Sequence, residues 1–259
     1  MDSGIGGIPY CMDFIKKNPG ESVCYLADHE NYPYGPRGKE ELTGILIYLL
    51  KKLLTKIEPK IAVLACNTAT IAALSSLREN FSQIPFVGTV PAIKPAANAS
   101  SKGKVGVLGT ARTIEEVNSL NLADKSCEIF GIAAPELVDF IELHFDGSEK
   151  EKNTEIVKKY VDIFRAENVD TLVLGCTHFL FLLEEFRCEA APYFEVFDSL
   201  EGITKRIEYL LDENSGFLRA EKDSISVHRL FVTGKKASDS FWERRAHSLG
   251  FNLIMLDEL

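Results

Sequence analysis

The chain contains no closely spaced pair of cysteines. Its six cysteines stand at positions 11, 24, 66, 127, 176 and 188, and no two of them form a CxxC motif. This spacing disfavours a zinc site or a thioredoxin-type motif, so we expect no bound metal. Free thiols in a reducing compartment are the simplest interpretation, and a cytoplasmic location follows as an expectation.

Long apolar runs and an excess of positive charge are also lacking. The longest apolar runs, such as LTGILIYLL, fall far short of the roughly 20 residues that cross a bilayer. The N-terminus shows no basic segment followed by an apolar one, as a signal peptide would. The net charge of -9 argues against nucleic acid as a partner. We therefore expect neither a membrane nor a nucleic acid to be a partner.

Short apolar runs rich in Val, Ile and Leu alternate with longer helical patterns, which predicts an α/β fold with mostly parallel sheets. Strands are predicted near 22–27, 61–65, 86–88, 104–109, 127–132, 171–175, 194–197, 228–234 and 252–256. Helices are predicted near 38–57, 68–80, 111–121, 135–145, 149–167, 179–188, 199–212 and 237–249.

A domain boundary is predicted at 88–104, where Pro, Ala, Ser and Gly are frequent and a new strand follows. A second crossing is predicted near 198–203. The first α/β domain would then be discontinuous and comprise 1–90 plus 203–259. The second α/β domain would comprise 91–202.

Two cysteines follow apolar runs in similar contexts, VLACNTAT at 63–70 and VLGCTHF at 173–179. Ligands of parallel α/β sheets bind beyond the carboxyl ends of the strands, where Cys66 and Cys176 are predicted to lie. A helix N-terminus at the same place favours the thiolate. The other four cysteines are predicted to be inert packing residues, and burial without a function remains an alternative for these two.

Two chemical roles are open to such cysteines. A single thiolate beside a histidine suggests nucleophilic catalysis. Two thiols in different domains suggest proton transfer instead, in which one removes a proton from a carbon and the other protonates the opposite face. The second role would invert a stereocentre without a cofactor.

Four short motifs spread along the chain carry a family resemblance. They are DSGIGG at 2–7, PYG at 33–35, ACNTAT at 65–70 and GCTH at 175–178. With these motifs the chain resembles the glutamate racemases of the aspartate/glutamate racemase superfamily. The resemblance implies two pseudo-symmetric α/β domains with the active site in the cleft between them.

The resemblance also implies roles for individual residues. Cys66 and Cys176 would be the two acid/base groups, and Asp2, His178 and Glu142 would support them. The implied substrate-binding residues are Asp2, Ser3, Tyr34, Gly35, Asn67, Thr68, Thr110, Thr177 and His178.

The implied activity is the interconversion of L- and D-glutamate without a cofactor, which would supply D-glutamate for peptidoglycan. A homodimer is implied as well. A relative that acts on aspartate or another acidic compound is an alternative, although His178 stands where such relatives tend to carry an acidic residue. A two-lobed glutamate-binding protein without turnover is a further alternative.

One departure from the family pattern concerns the N-terminus. Family members have an apolar strand before DSGxGG, whereas Met1 directly precedes Asp2 here. Three interpretations are open: a misplaced chain start, which we favour, the absence of part of the gene product, or an altered sheet that this protein tolerates. Without that strand, we expect unpaired backbone groups on its neighbours and an unanchored Asp2.

Overall fold

A computed structural model describes residues 1–124, 127–144, 150–213, 216–234 and 240–256 of the 259-residue chain. All nine predicted strands are present within this part. They are β1 (Cys24–Ala27), β2 (Ala62–Leu64), β3 (Phe86–Gly88), β4 (Lys104–Gly109), β5 (Glu128–Ala133), β6 (Thr171–Leu174), β7 (Glu195–Phe197), β8 (Arg229–Val232) and β9 (Asn252–Met255). Every pairing between these strands is parallel, which confirms the α/β class.

The described α-helices connect these strands. They are α1 (Ile8–Lys17), α2 (Lys39–Leu53), α3 (Asn67–Asn80), α4 (Ile93–Ala99), α5 (Ala111–Asp124), α6 (Pro135–Leu143), α7 (Lys150–Ala166), α8 (Leu183–Ala190), α9 (Leu200–Glu213) and α10 (Ser240–Leu249). Two short 3₁₀ helices cover His29–Asn31 and Thr177–Leu182. Of the predicted helices, positions 145, 149 and 237–239 lie outside the described residues.

The structure differs from the helix predictions at three places. Helix α1 was not predicted, although Pro9 at its first turn and the buried Ile8, Tyr10 and Phe14 are its sequence signals. Helix α4 was not predicted either, and it lies inside the segment predicted to contain a domain boundary, 88–104. The helix predicted at 179–188 is a 3₁₀ helix up to Leu182 and becomes an α-helix only at Leu183.

The chain divides into two compact units. The first unit comprises Met1–Thr89 and Leu200–Leu259, and the second comprises Val90–Ser199. The chain therefore enters the second unit once and returns to the first.

Among its described residues, the first unit contains two separate parallel sheets. One has the strand order β1-β8-β9, and the other consists of β2 and β3. Residues Met1 and Asp2 lie between the two sheets and bond to both: the Asp2 N–H donates to Leu26, and the Ala65 N–H donates to the Met1 carbonyl. The expectation that Asp2 is unanchored is therefore wrong. Asp2 forms a parallel bridge with Ala27 and also accepts a hydrogen bond from the Asp28 N–H, at 2.8 Å.

The part of the second unit that the structure describes contains one parallel sheet in the order β5-β4-β6-β7. Its inner strands β4 and β6 are buried along nearly their whole length. Val105, Val107 and Val173 are fully buried in it, together with Ala96 of α4. The inner strands β4 and β6 therefore hold their carboxyl ends in fixed positions.

Within the described part of the chain, no helix is both long enough and apolar enough to cross a membrane.

Candidate functional site

Cys66 lies at the junction between β2 and α3, in an extended conformation (φ -148°, ψ 119°). It is the residue that caps α3, and its carbonyl accepts a hydrogen bond from the Thr70 N–H. The alanines of α3 pack closely against α2, which holds the helix N-terminus next to the strand end. The thiol thus lies at the positive end of a 14-residue helix, as predicted.

Asp2 and Ser3 lie beside this position. The Met1 carbonyl accepts the N–H of Ala65, so the chain runs next to the residue that precedes Cys66. The Asp2 carboxylate is buried and accepts hydrogen bonds from the Ser3 hydroxyl (3.3 Å) and the Gly4 N–H (3.1 Å). Asn67 and Thr68, the first residues of α3, are also buried.

Tyr34 belongs to the same packed cluster as Cys66. Its hydroxyl donates to Oδ2 of Asp28 at 2.7 Å, and the Thr233 hydroxyl donates to Oδ1 of Asp28 at 2.6 Å. Burial, together with the Asp28 carboxylate, holds the pKa of Tyr34 well above its usual value. Gly35 is half-buried, and no atom lies within 4 Å of where a β-carbon would be. Asp28 was missed in the sequence, because its only local signal is an acid at the end of a strand.

Cys176 occupies the matching position in the second unit, directly beyond β6 and again in extended backbone. The residues that follow it, Thr177 and His178, are buried. The expectation of an α-helix N-terminus at this thiol is wrong, because only a six-residue 3₁₀ helix follows. Such a short helix aligns few peptide dipoles, so side chains must supply most of the electrostatic field here.

Those side chains form a buried chain of three groups. Sγ of Cys176 lies 3.8 Å from Nδ1 of His178, and Nε2 of His178 lies 3.0 Å from Oε2 of Glu142. Glu142 reaches this place from the penultimate position of α6 and is only 5% exposed, so it is not part of a solvated helix face. A carboxylate in this place orients the imidazole ring.

Thr110 follows β4 and begins α5. Its hydroxyl lies 3.0 Å from the hydroxyl of Thr113 and accepts the Thr113 N–H. Thr113 is fully buried and is a second polar group that the sequence did not single out. Thr110 and Thr113 are three positions apart directly after a strand, which is the spacing of a helix N-cap and the residue that it bonds. This pattern could have identified Thr113 from the sequence.

The predicted residues therefore fall into two groups, one in each unit. The first contains Asp2, Ser3, Tyr34, Gly35, Cys66, Asn67 and Thr68, and the second contains Thr110, Glu142, Cys176, Thr177 and His178. Each group places one thiol at the carboxyl end of a parallel strand among buried polar side chains. Among the described residues, no group of three or more His, Cys, Asp or Glu side chains is arranged to hold a metal ion.

A family model described as Asp/Glu/Hydantoin racemase matches residues 16–204, which include both cysteine motifs. The chain belongs to this racemase family. It is 35% identical over 232 residues to the glutamate racemase of Clostridium acetobutylicum, covering 88% of this chain and 89% of that relative.

Solved structures of racemases have the same fold. Glutamate racemase isoform RacE1 from Bacillus anthracis matches with a TM-score of 0.80 and 31% identity, over 98% of this chain and 94% of that one. Escherichia coli glutamate racemase, in complex with L-glutamate and the activator UDP-MurNAc-ala, matches with a TM-score of 0.78 and 26% identity, over 98% and 95%. The chain thus has the α/β fold of an amino-acid racemase over nearly its whole length.

Proposed function

We propose that this protein is a glutamate racemase that works by two-thiol acid/base catalysis, with Cys66 and Cys176 on opposite faces of the substrate. The observation that carries the proposal is the repeated cysteine at a strand's carboxyl end, once in each unit. The curated relatives of similar length named glutamate racemase support glutamate as the substrate.

The proposed reaction is a balanced proton exchange. One cysteine thiolate takes the α-proton of glutamate and becomes a thiol, and the bonding electron pair stays on the α-carbon. The other cysteine thiol then protonates the opposite face of that carbon and becomes the thiolate. Each turnover inverts the stereocentre and exchanges the protonation states of the two cysteines, so the reverse reaction begins from the product state.

The polar side chains around the thiols have proposed roles in this reaction. The developing carbanion needs preorganised donors, which Asn67, Thr68, Thr110 and Thr177 would supply together with backbone N–H groups. Asp2 would act near Cys66, and the pair His178 and Glu142 would act near Cys176. Tyr34 and Gly35 would lie against the substrate carboxylate, and Ser3 would bind beside Asp2.

The proposal extends to the biological setting. The two units would act as two domains, each of which contributes one of the two thiols. The product D-glutamate would serve peptidoglycan synthesis in the cytoplasm, and the protein would act as a homodimer without a nucleic acid or a membrane as partner.

The experiment compares Cys66→Ser, Cys176→Ser and Cys188→Ser. Serine is a much weaker acid than cysteine, so we expect each of the first two substitutions to lower kcat by roughly 10²–10⁴-fold. Cys188 is exposed on α8, so Cys188→Ser should keep wild-type turnover. Circular dichroism during the inversion of L- and D-glutamate measures the rates. Wild-type turnover by either active-site variant would refute the two-thiol mechanism.

Two further measurements separate the alternatives. In D₂O, each enantiomer should gain one solvent deuterium at the α-carbon as it inverts, which mass spectrometry detects. Chiral chromatography with glutamate, aspartate and other acidic amino acids identifies the preferred substrate. Binding of glutamate in a calorimeter without inversion would instead identify a binding protein.

A further inference from the structure

The hydroxyl of Tyr25 bonds to the turn that carries Asp2. Tyr25 is the second residue of β1, and its side chain is buried. The hydroxyl donates a hydrogen bond to the Gly4 carbonyl at 2.7 Å and accepts one from the Gly7 N–H at 3.1 Å. One side-chain oxygen thus bonds to the backbone at both ends of segment 4–7.

This turn needs such a partner because it is buried without regular structure. Every residue from 2 to 8 is buried, and segment 3–7 belongs to neither a helix nor a strand. Buried backbone N–H and C=O groups outside a helix or a sheet require other partners. Gly7 precedes α1 and has no side chain that could cap this helix. The Tyr25 hydroxyl supplies one donor and one acceptor to this part of the backbone.

Gly7 packs closely against Tyr25 and against the residue before Cys66. A β-carbon at Gly7 would lie 2.9 Å from Cε2 and 3.0 Å from the hydroxyl oxygen of Tyr25. The same β-carbon would lie 2.6 Å from Cβ of Ala65, which directly precedes Cys66. The position of the turn relative to the candidate acid/base cysteine therefore depends on the contact between Gly7 and the Tyr25 ring.

Gly4 connects Tyr25 with the carboxylate of Asp2. The Gly4 N–H donates to Oδ1 of Asp2 at 3.1 Å, and the Gly4 carbonyl accepts the Tyr25 hydroxyl. A glycine has few steric limits on its backbone angles, so hydrogen bonds decide how its two peptide groups are oriented. The Tyr25 hydroxyl therefore helps to fix the N–H group that orients Asp2.

We propose that Tyr25 is a positioning residue for proton transfer at Cys66, because its hydroxyl holds the turn 2–7 so that Asp2 stays beside this thiol. The inference rests on the proposed two-thiol racemase and adds a residue to it. Tyr25 acts through the backbone of the turn. Its loss therefore slows proton transfer at Cys66 and leaves proton transfer at Cys176 unchanged.

The substitution Tyr25→Phe removes the hydroxyl and keeps the aromatic ring. The Gly4 carbonyl and the Gly7 N–H then lose a buried partner. We expect kcat/KM to fall by roughly 3- to 10-fold, which corresponds to the loss of one hydrogen bond. L- and D-glutamate have equal free energies, so the fall is the same for both. Isotope effects are needed to identify the proton transfer that is affected.

A deuterium at the α-carbon of glutamate slows only deprotonation, because the thiol that reprotonates the carbanion carries a solvent proton. In a two-step reaction, the isotope effect on kcat/KM is large where deprotonation limits the rate and small where reprotonation does. Slower transfer at Cys66 should therefore raise the isotope effect for the enantiomer that Cys66 deprotonates. It should lower the isotope effect for the other enantiomer, whose carbanion Cys66 reprotonates.

Initial rates with deuterated and undeuterated L- and D-glutamate, followed by circular dichroism, give both isotope effects. For Tyr25→Phe we expect one to rise and the other to fall relative to the wild type. Glu142→Gln acts near the other thiol and should shift the same two isotope effects in the reverse sense. Unchanged isotope effects in Tyr25→Phe, or shifts in the same sense as in Glu142→Gln, would overturn the proposal.

Tyr160→Phe is the matched control. Tyr160 is as buried as Tyr25, and its hydroxyl donates to Glu136 at 2.5 Å. The Glu136 side chain is 54% exposed and has no part in the proposed reaction. We expect this variant to keep both wild-type isotope effects. If Tyr160→Phe shifted them as Tyr25→Phe does, the shifts would reflect the loss of any buried hydroxyl, and the proposal would be wrong.

A double-mutant cycle tests whether Tyr25 acts through Asp2. In the Asp2→Asn background, the group that Tyr25 helps to orient has already lost its charge. We therefore expect the additional Tyr25→Phe substitution to lower kcat/KM by less than about 2-fold. An equal fall in both backgrounds would show that the effect of Tyr25 does not pass through Asp2.

Hydrogen exchange tests the structural basis in the wild type itself. The Gly7 amide should exchange at least roughly 100-fold more slowly than in an unfolded chain. Tyr25→Phe should speed this exchange and leave the Leu172 amide of β6 unchanged. Free exchange of Gly7 in the wild type would contradict the proposal. A wild-type protein that fails to invert glutamate would refute the proposed function, whereas inversion with unchanged isotope effects in Tyr25→Phe would remove only the role of Tyr25.

Discussion

Nε2 of His178 lies 3.0 Å from Oε2 of Glu142, although the two side chains are only 4% and 7% exposed. Burial of a carboxylate is costly unless it is hydrogen-bonded or paired, and the imidazole provides that partner. The other ring nitrogen lies 3.8 Å from the sulfur of Cys176. Glu142 can therefore act on the thiol only through the imidazole, as a positioning residue.

The substitution Glu142→Gln keeps the size of the side chain and removes its charge. A hydrogen bond to a charged group is worth about 1.5–3 kcal/mol, so we expect kcat/KM to fall by roughly 10- to 100-fold. L- and D-glutamate have equal free energies, so the fall must be the same in both directions. The pH profile of kcat/KM should also change, which a purely structural role would not cause.

Glu136→Gln is the matched control for this prediction. Glu136 lies on the same helix and its side chain is 54% exposed. We expect this variant to keep the wild-type pH profile. An unchanged profile in Glu142→Gln would mean that the carboxylate does not influence the reacting groups.

Asp28 joins segments that are distant in the chain. It is fully buried and accepts hydrogen bonds from Tyr34, Thr233 and Asn31. Asp28→Asn replaces one acceptor oxygen by a donor and leaves at least one hydroxyl without its partner. We expect the free energy of unfolding to fall by about 1–3 kcal/mol, measured by urea denaturation. Asp223→Asn, the same change at an exposed position, should have almost no effect.

Tyr34 makes the stability of the protein depend on alkaline pH. Its folded-state pKa is raised by burial and by Asp28, so the folded protein keeps a proton that the unfolded chain releases near pH 10. This contribution to stability is complete below about pH 10 and is lost as the pH rises above it. We expect Tyr34→Phe to show a smaller fall in unfolding free energy between about pH 9 and 11 than the wild type.

Cys11 contributes to the same alkaline loss, because burial raises its pKa to about 11. Cys11→Ala should therefore also show a smaller fall in unfolding free energy at alkaline pH than the wild type. The double variant Tyr34→Phe/Cys11→Ala should show the smallest fall of the four proteins. Identical pH dependence of Tyr34→Phe and the wild type would show that the pKa of the phenol is the same in the folded and unfolded states.

Gly88 allows β3 to pack directly on α3. A β-carbon there would lie 2.5 Å from Cγ2 of Thr70 and 2.9 Å from Cδ2 of Leu74. We expect Gly88→Ala to cost about 1–3 kcal/mol through overpacking, measured by urea denaturation. The control is Gly44→Ala in α2. A β-carbon at Gly44 would have no atom outside the local helix backbone within 4 Å, so this substitution should stabilise the protein by about 0.5–1 kcal/mol. Equal effects of both substitutions would contradict the packing argument.

The strands and both cysteine positions could be predicted because their signals are local. A buried strand such as β6 is an unbroken apolar run, and the polar residues that end it are adjacent in the sequence. Helix α4 was not predicted, because its local signal is misleading: a stretch rich in Pro and Ala resembles a domain boundary. The family motifs added the roles of residues such as Glu142, which the local pattern alone leaves undecided.

The amino-acid sequence by itself determined the α/β class, the parallel strands and the two thiols at strand ends, because the period of apolar residues decides which face of each element is buried. Only the tertiary structure decided which distant groups meet. Thr233 bonds to Asp28 across 205 positions, and His178 bonds to Glu142 across 36. Such contacts depend on the packing of whole elements, and no short stretch of sequence encodes them.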